Sequence, residues 1–473
     1  MRKSNTRAMG LVAMGAALFC APGPAAEACA AVDVAPMVGL MFSGVRDLDT
    51  LAALAVASDA RVARDARDLL RAAGPAGLAA FRALHREELA RAVATDLSPG
   101  TAASEAVQAA LDHICAQKDC AASQLYWYTD LAAAKAAARA SGRPIVSLRL
   151  LGDLREELSC ANSRFFRALL YPDPAVSAAL RERFVLHWQT ERPAPKISIE
   201  LGDGRRVETT ITGNSAHYLL DSDGHPVDVL PGLMEPRQFL AALQASEMVA
   251  RRLAAVSDPR ERAAALRDHH IGLRAAQERA FSTELAQVGE PARSFTPPPR
   301  PGVAAPRPVE PTRAVRAPRA GQAAMLAASK SGGEAMMLRM VGEPVERLSN
   351  DELWTLLGDR RAAQVELSPA SLAMIGRQQW RSGDPNQDAA DLALALVALR
   401  RSVAVDGLFN EFELHRRVHE WFIADGPDAH DLEALDRWVY ADLFLTPGSD
   451  PWLGLAAPTI YTGLAGGGRR ARI

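Results

Sequence analysis

The residues able to do chemistry in this 473-residue chain are, above all, its five cysteines and ten histidines. Cys115 and Cys120 are near enough in sequence to close a small loop as a structural disulfide in an oxidising compartment. His113 beside them opens the alternative of a metal site, which needs a further partner to complete a tetrahedron. With Cys115 and Cys120 paired, Cys160 is the odd thiol. It opens Cys160 to Leu170, a stretch of helical periodicity. A thiolate at a helix start faces unpaired backbone N–H groups and the positive end of the helix dipole. Both favour the anion, and cysteines so placed have pKa values from about 3.5 to 7.5. His415 and His419 stand at i, i+4, a spacing that can hold a metal. No third ligand is evident in the sequence, so the pair is expected at the surface. His269 and His270 are adjacent, point in different directions on a helix and are assigned nothing. No metal ion and no cofactor is expected.

The remaining cysteines, Cys20 and Cys29, belong to the leading thirty residues, which have the layout of a secretory signal. Arg2, Lys3 and Arg7 precede the apolar stretch Met9 to Cys20, Pro22 and Pro24 break it, and Ala26-Glu27-Ala28 offers a cleavage site. Ala28-Cys29-Ala30 is a second one. Residues 1–30 are therefore expected to be removed from a periplasmic or secreted protein. Cys29 as a lipoprotein anchor is the less favoured alternative, because Ala26 stands where a Leu-like residue belongs. No later segment reaches the ~20 apolar residues of a membrane span.

Composition bounds the rest. Hydrophobic residues at 48% and charged residues at 23% are globular values, which exclude wholesale disorder. A net charge of −2 excludes a general nucleic-acid binder, which needs a basic face. Residues 31–123 read as helix throughout. The run from Asp59 to Leu70 before Gly74 resembles one helical pair of a HEAT-type repeat, although a plain helical packing domain is favoured. Residues 124–255 alternate: a helix over Thr129 to Ala140 stopped by Gly142, a strand over Pro144 to Leu150, the helix from Cys160, and a strand over Phe184 to Trp188. Two hairpins follow, Ile197 to Ile211 and Ala216 to Leu230, and then a helix over Pro236 to Leu253. Residues 256–290 form a helical extension. Residues 291–322, with six arginines against Glu310 alone, form a Pro/Arg-rich linker. Residues 323–473 return to helix as a C-terminal domain. Its Thr446 to Leu455 segment is turn-rich.

The middle segment resembles the thioredoxin fold. Trp127, the helix into Gly142-Arg-Pro-Ile-Val146, the loop ending at Cys160-Ala-Asn-Ser163 and the late hairpin around Tyr218 to Gly224 carry the resemblance. It implies an α/β thioredoxin-like central domain flanked by all-α N- and C-terminal regions. In that family the cysteine at the helix start attacks a disulfide, and a second cysteine three residues on resolves the mixed disulfide. Here the second position holds Ser163, so ordinary dithiol turnover is excluded. The family also has a cis-proline before the late hairpin. Counting back from Asp221, Ser215 occupies that place, and a cis bond before it would cost about 2.5–4 kcal/mol. A trans bond is expected, with Asn214, Ser215 and His217 supplying polar groups near Cys160. The Ile197 to Ile211 hairpin is an insertion, and the loop Gly152 to Leu158 is acidic.

Two functions follow from different classes. In one, the exported chain performs monothiol disulfide exchange or isomerase-type chemistry on a protein thiol or disulfide substrate, with Cys160 as nucleophile and Ser163 and Asn162 orienting it. In the other, it is a non-catalytic binding or scaffold protein with a protein partner, and Cys160 is simply buried.

Overall fold

The computed structural model describes residues 47–93, 102–200, 202–204, 206–210, 213–288, 351–378, 385–424 and 431–446. The expected signal with Cys20 and Cys29, the Pro/Arg-rich linker and all of the turn-rich segment beyond Thr446 lie outside these residues. The architecture is mainly helical around one small mixed sheet of five strands.

Five helices lead in: α1 (Leu48–Leu54), α2 (Ala60–Ala72), α3 (Pro75–Leu84), α4 (Arg86–Val93) and α5 (Ala102–Cys115). Helix α2 starts where the Asp59 carboxylate accepts the Arg61 and Val62 N–H groups, satisfying two donors that a helix start leaves open. Its buried Ala63, Ala66 and Leu70 form one apolar stripe. From α2 the Arg71 guanidinium donates to the carbonyls of Ile114 and Trp127, tying these helices to the sheet.

The sheet order is β1-β3-β2-β6-β7, built from β1 (Trp127–Tyr128), β2 (Ile145–Leu151), β3 (Val185–Arg192), β6 (Ser215–Leu220) and β7 (Pro226–Pro231). The first three run parallel, and β6 and β7 are antiparallel additions. Strand β2 lies at the centre and is buried along its length, as its near-continuous apolar run requires. Strands β4 (Lys196–Glu200) and β5 (Arg206–Thr210) pair only with each other. The expected Ile197 to Ile211 insertion is thus a separate two-stranded hairpin.

Helix α6 (Leu131–Ser141) joins β1 to β2, capped by the Asp130 carboxylate and closed by left-handed Gly142. Between β2 and β3 come α7 (Ala161–Phe165), which continues as a π-turn over Phe166–Leu170, and α8 (Pro174–Arg183). Helix α9 (Pro236–Ala254) packs on β6, β7 and α8, and α10 (Pro259–Gln287) follows.

The C-terminal helices are α11 (Asp351–Ala362), α12 (Pro369–Gln378), α13 (Pro385–Phe409), α14 (Arg416–Ile423) and α15 (Leu432–Trp438). Helix α13 runs into α14 through a π-turn at Asn410–His415, and α15 continues as another at Val439–Leu443. Trp354, Leu357, Leu408 and Phe412 close a small cluster with Phe281 and Leu285 of α10, and the rest of these helices' apolar surface joins the sheet layer. Val403, Val418, Leu435, Val439 and Phe444 belong to the same apolar cluster as Leu148, Val229 and Phe239 of the sheet layer. By their backbone contacts the described residues from Asp47 onward fall in one compact unit. At the junction Gly232 has φ +67, and a Cβ there would sit 2.5 Å from Asn410 Nδ2, which instead donates to the Leu233 carbonyl.

The strongest tie is ionic. Arg149, in the middle of β2, is wholly buried, and its guanidinium lies 3.0 Å from Asp436 of α15 and 5.2 Å over the Tyr218 ring. The Tyr218 hydroxyl donates to the same carboxylate at 2.7 Å. Glu191 is the next acid, 3.5 Å from Arg149; burial and then the nearby Asp436 push it up to about 8. Asp436 is thus the nearest counter-ion to the guanidinium. Removing one partner of a buried pair leaves the other uncompensated. Arg149→Met is expected to lower unfolding stability by about 3–5 kcal/mol in urea denaturation of the full chain.

Candidate functional site

Strand β2 ends at Leu151, and the loop after it returns so that the Cys160 N–H donates to the Leu151 carbonyl at 3.1 Å. Cys160 is the cap residue of α7, with φ −58° and ψ 159°, and its carbonyl accepts the Arg164 N–H as the first helical bond. The sulfur is at the head of a helix, but it is 0% exposed. Of the two expectations for it, nucleophile or buried core residue, the sulfur has the burial of the second, with apolar neighbours of the shared core around it.

Its polar partner is Ser215, whose Oγ lies 2.8 Å from Sγ. Ser215 opens β6, which pairs with β2 so that Leu150 faces Ser215 and the hydroxyl meets the loop after β2. Ser163 does not touch the sulfur: its Oγ is 2.6 Å from Ser159 Oγ and 2.8 Å from the Cys160 carbonyl oxygen. A serine in the first turn of a helix reaches back to the backbone more readily than to a side chain already turned inward. Neither polar atom of the Asn162 side chain has a partner among the described residues. Ser163 and Asn162 are thus not seen to orient the thiol.

The peptide bond before Ser215 is trans, since the described residues contain no cis bond. Around it the three polar residues diverge. Asn214 donates to Thr446 Oγ1 at 3.3 Å. His217, on the same strand face as Ser215, bonds Tyr171 through Nε2 at 2.8 Å. Its ring sits between Phe166 and Phe239, with centroids at 4.6 and 4.8 Å, and burial pushes it down to about 3. Such an imidazole is neutral at pH 7 and holds no proton to give.

The chain's last described turn is held to the strands near Ser215. Arg192 donates to the Thr446 carbonyl, and Thr446 N–H bonds Tyr440 O at 2.8 Å. The Tyr171 and Tyr440 phenols are both pushed well up, by burial first, with the nearby Cys160 adding to the effect. A sulfur boxed in this way can hold a hydrogen bond and fill space. A partner disulfide cannot reach a sulfur that is 0% exposed.

Cys115 and Cys120 are joined by a disulfide in the loop after α5. That loop is held by Trp127 Nε1 on Gln117 and by Trp188 Nε1 on the Ala116 carbonyl, each at 2.8 Å. The Asp112 carboxylate takes the Asp119 and Cys120 N–H groups, and burial raises it to about 6. His113 turns away from the sulfurs to Asp68 at 2.6 Å, which removes the Cys/His metal alternative.

The largest departure concerns His415 and His419. They are buried, not a surface pair. His415 Nε2 lies 2.9 Å from Asp228 Oδ1, and His419 Nδ1 lies 3.0 Å from Nδ1 of His270, the residue to which the sequence assigned nothing. Only the i, i+4 spacing signalled this cluster, because Asp228 and His270 come from distant elements. No family model, no curated protein and no solved structure matches the chain.

Burial also lowers His187 to about 4, its Nδ1 lying 2.8 Å from Ser147 Oγ. Histidines held neutral in the fold bind protons only when unfolded as pH falls below about 6.5, so each removes about 1.4 kcal/mol per pH unit down to its folded value. Glu191 acts in the opposite sense: its raised value gives stability below about 4.5 that is lost as pH rises towards 8. Unfolding free energy measured against pH is expected to peak near pH 6–7. The acid limb should be shallower in His217→Phe.

Proposed function

We propose that the sheet and its helices form a thioredoxin-like unit that serves an exported chain as a packing and binding scaffold, not as a resident thiol catalyst. The reading is supported by the strand order, with three parallel strands followed by an antiparallel pair, and by a cysteine at the head of the helix after the central strand. The Cys115–Cys120 disulfide fits an oxidising compartment. One observation carries the choice between scaffold and exchange: the Cys160 sulfur is fully buried against Ser215, in a chain whose resolving position is Ser163. Exchange needs a thiolate that a second sulfur can reach. In this reading Cys160 is a small core residue and the protein acts through a protein partner.

Treating the folded full chain with an alkylating reagent should leave Cys160 unmodified by peptide mass mapping, whereas denaturant should make it react fully. Cys160→Ser should still capture the same partners, and reductant should not release them. Stoichiometric alkylation of the native protein, or a mixed disulfide trapped through Cys160, would establish exchange chemistry and overturn the scaffold reading.

A further inference from the structure

We propose that Asp228, His270 and His419 bind one divalent transition-metal ion of the zinc class, and that the ion is structural. Asp228 lies on β7, His270 within α10 and His419 on α14, and all three are buried. One ligand atom from each lies within 4.8 Å of the other two. The Nδ1 atoms of His270 and His419 are 3.0 Å apart. Two zinc–nitrogen bonds of about 2.0–2.1 Å at a tetrahedral angle put their nitrogens about 3.3 Å apart, so the two imidazoles need part by only a few tenths of an ångström, and the Asp228 carboxylate closes on the ion from within 4.8 Å.

The surroundings are those that metal ligands need. His270 Nε2 lies 2.9 Å from the Val227 carbonyl. A carbonyl only accepts, so the proton sits on Nε2 and the Nδ1 lone pair faces the cluster. A backbone carbonyl behind a histidine in this way fixes its tautomer and raises its basicity as a ligand. Phe422 stacks on the ring at 4.2 Å and 4°, which fixes its plane. The Asp228 carboxylate is oriented by the Val229 N–H at 2.8 Å and by His415 Nε2 at 2.9 and 3.1 Å from its two oxygens. His415 is thus a positioning residue for the third ligand.

Charge points the same way. Among the described residues no Lys or Arg pairs with Asp228, whose only ion-pair partner is His415. A buried carboxylate faced by imidazoles alone lacks a fixed counter-charge, and a dication supplies one. Two imidazoles, one carboxylate and no thiolate form a donor set suited to zinc. One tetrahedral position remains for a water. Without the ion, the 3.0 Å contact is a His419 Nδ1–H donated to His270 Nδ1; on binding, that proton moves to His419 Nε2 and Nδ1 becomes the ligand. The ion would join the edge strand to a helix before residues 289–350 and another after them.

The full chain, purified without a metal-chelating tag, is expected to carry about one zinc by mass spectrometry of its metals. After chelation, added Co2+ should give the visible absorption of a tetrahedral site, and added Zn2+ should raise the melting temperature by roughly 5 °C. His270→Gln and Asp228→Asn, checked for folding by circular dichroism, should each weaken Zn2+ binding at least ~10-fold, whereas His113→Gln should not. Wild-type chain with under ~0.1 zinc, no cobalt spectrum and no thermal shift would overturn the site without recourse to any variant and leave a hydrogen-bonded core. Full retention of zinc in folded His270→Gln and Asp228→Asn would overturn it as well. Neither result bears on the alkylation of Cys160, so the two readings fail separately.

Discussion

A guanidinium at the centre of the sheet is the constraint on which the rest of the structure depends. Arg149 occupies a strand buried on both faces, where an unpaired charge cannot stay. Its nearest acid, Asp436, stands nearly three hundred residues further on, in the last helical segment described. The sheet therefore has no finished electrostatic state until the C-terminal helices are docked. The same docking buries their apolar faces with those of β6, β7 and α9 in one cluster. Tyr218 serves both ends, stacking on the guanidinium and donating to its counter-ion.

Once α15 is held there, the chain beyond it has little freedom. The π-turn at Val439–Leu443 and the left-handed Leu445 lead Thr446 onto Asn214 and Arg192, beside the head of α7. The antiparallel pair β6–β7 distributes the remaining polar side chains: Ser215 faces the sulfur, His217 lies among aromatics, and Asp228 points to the histidines of α10 and α14. Three side chains from two neighbouring strands thereby enter three different environments.

Much of the secondary structure was legible because it is written locally. Asp59, Asp130 and Asp173 cap the helices they precede, Gly142 ends one in the left-handed region, and the elements from Thr129 to Leu253 fall within a few residues of where periodicity puts them. The candidate site was legible only as a list of residues. Ser163 was read as a thiol partner from its spacing, but a serine in a first turn has the backbone within reach and takes it. His415 and His419 were read as exposed, because nothing near them in sequence announces Asp228 or His270. For the long C-terminal helices, apolar periodicity says that a face is buried without saying against what, and part of that face meets the sheet layer.

The sequence by itself determined the elements, the cysteine at a helix start and the serine in the place of a second cysteine, since caps, breakers and periodicity act over a few residues. Only the tertiary structure decided that the sulfur is enclosed, that Ser215 is its partner and that an aspartate and three histidines converge. Burial and counter-charges are set by contacts between segments hundreds of residues apart, and those contacts leave no trace in local spacing.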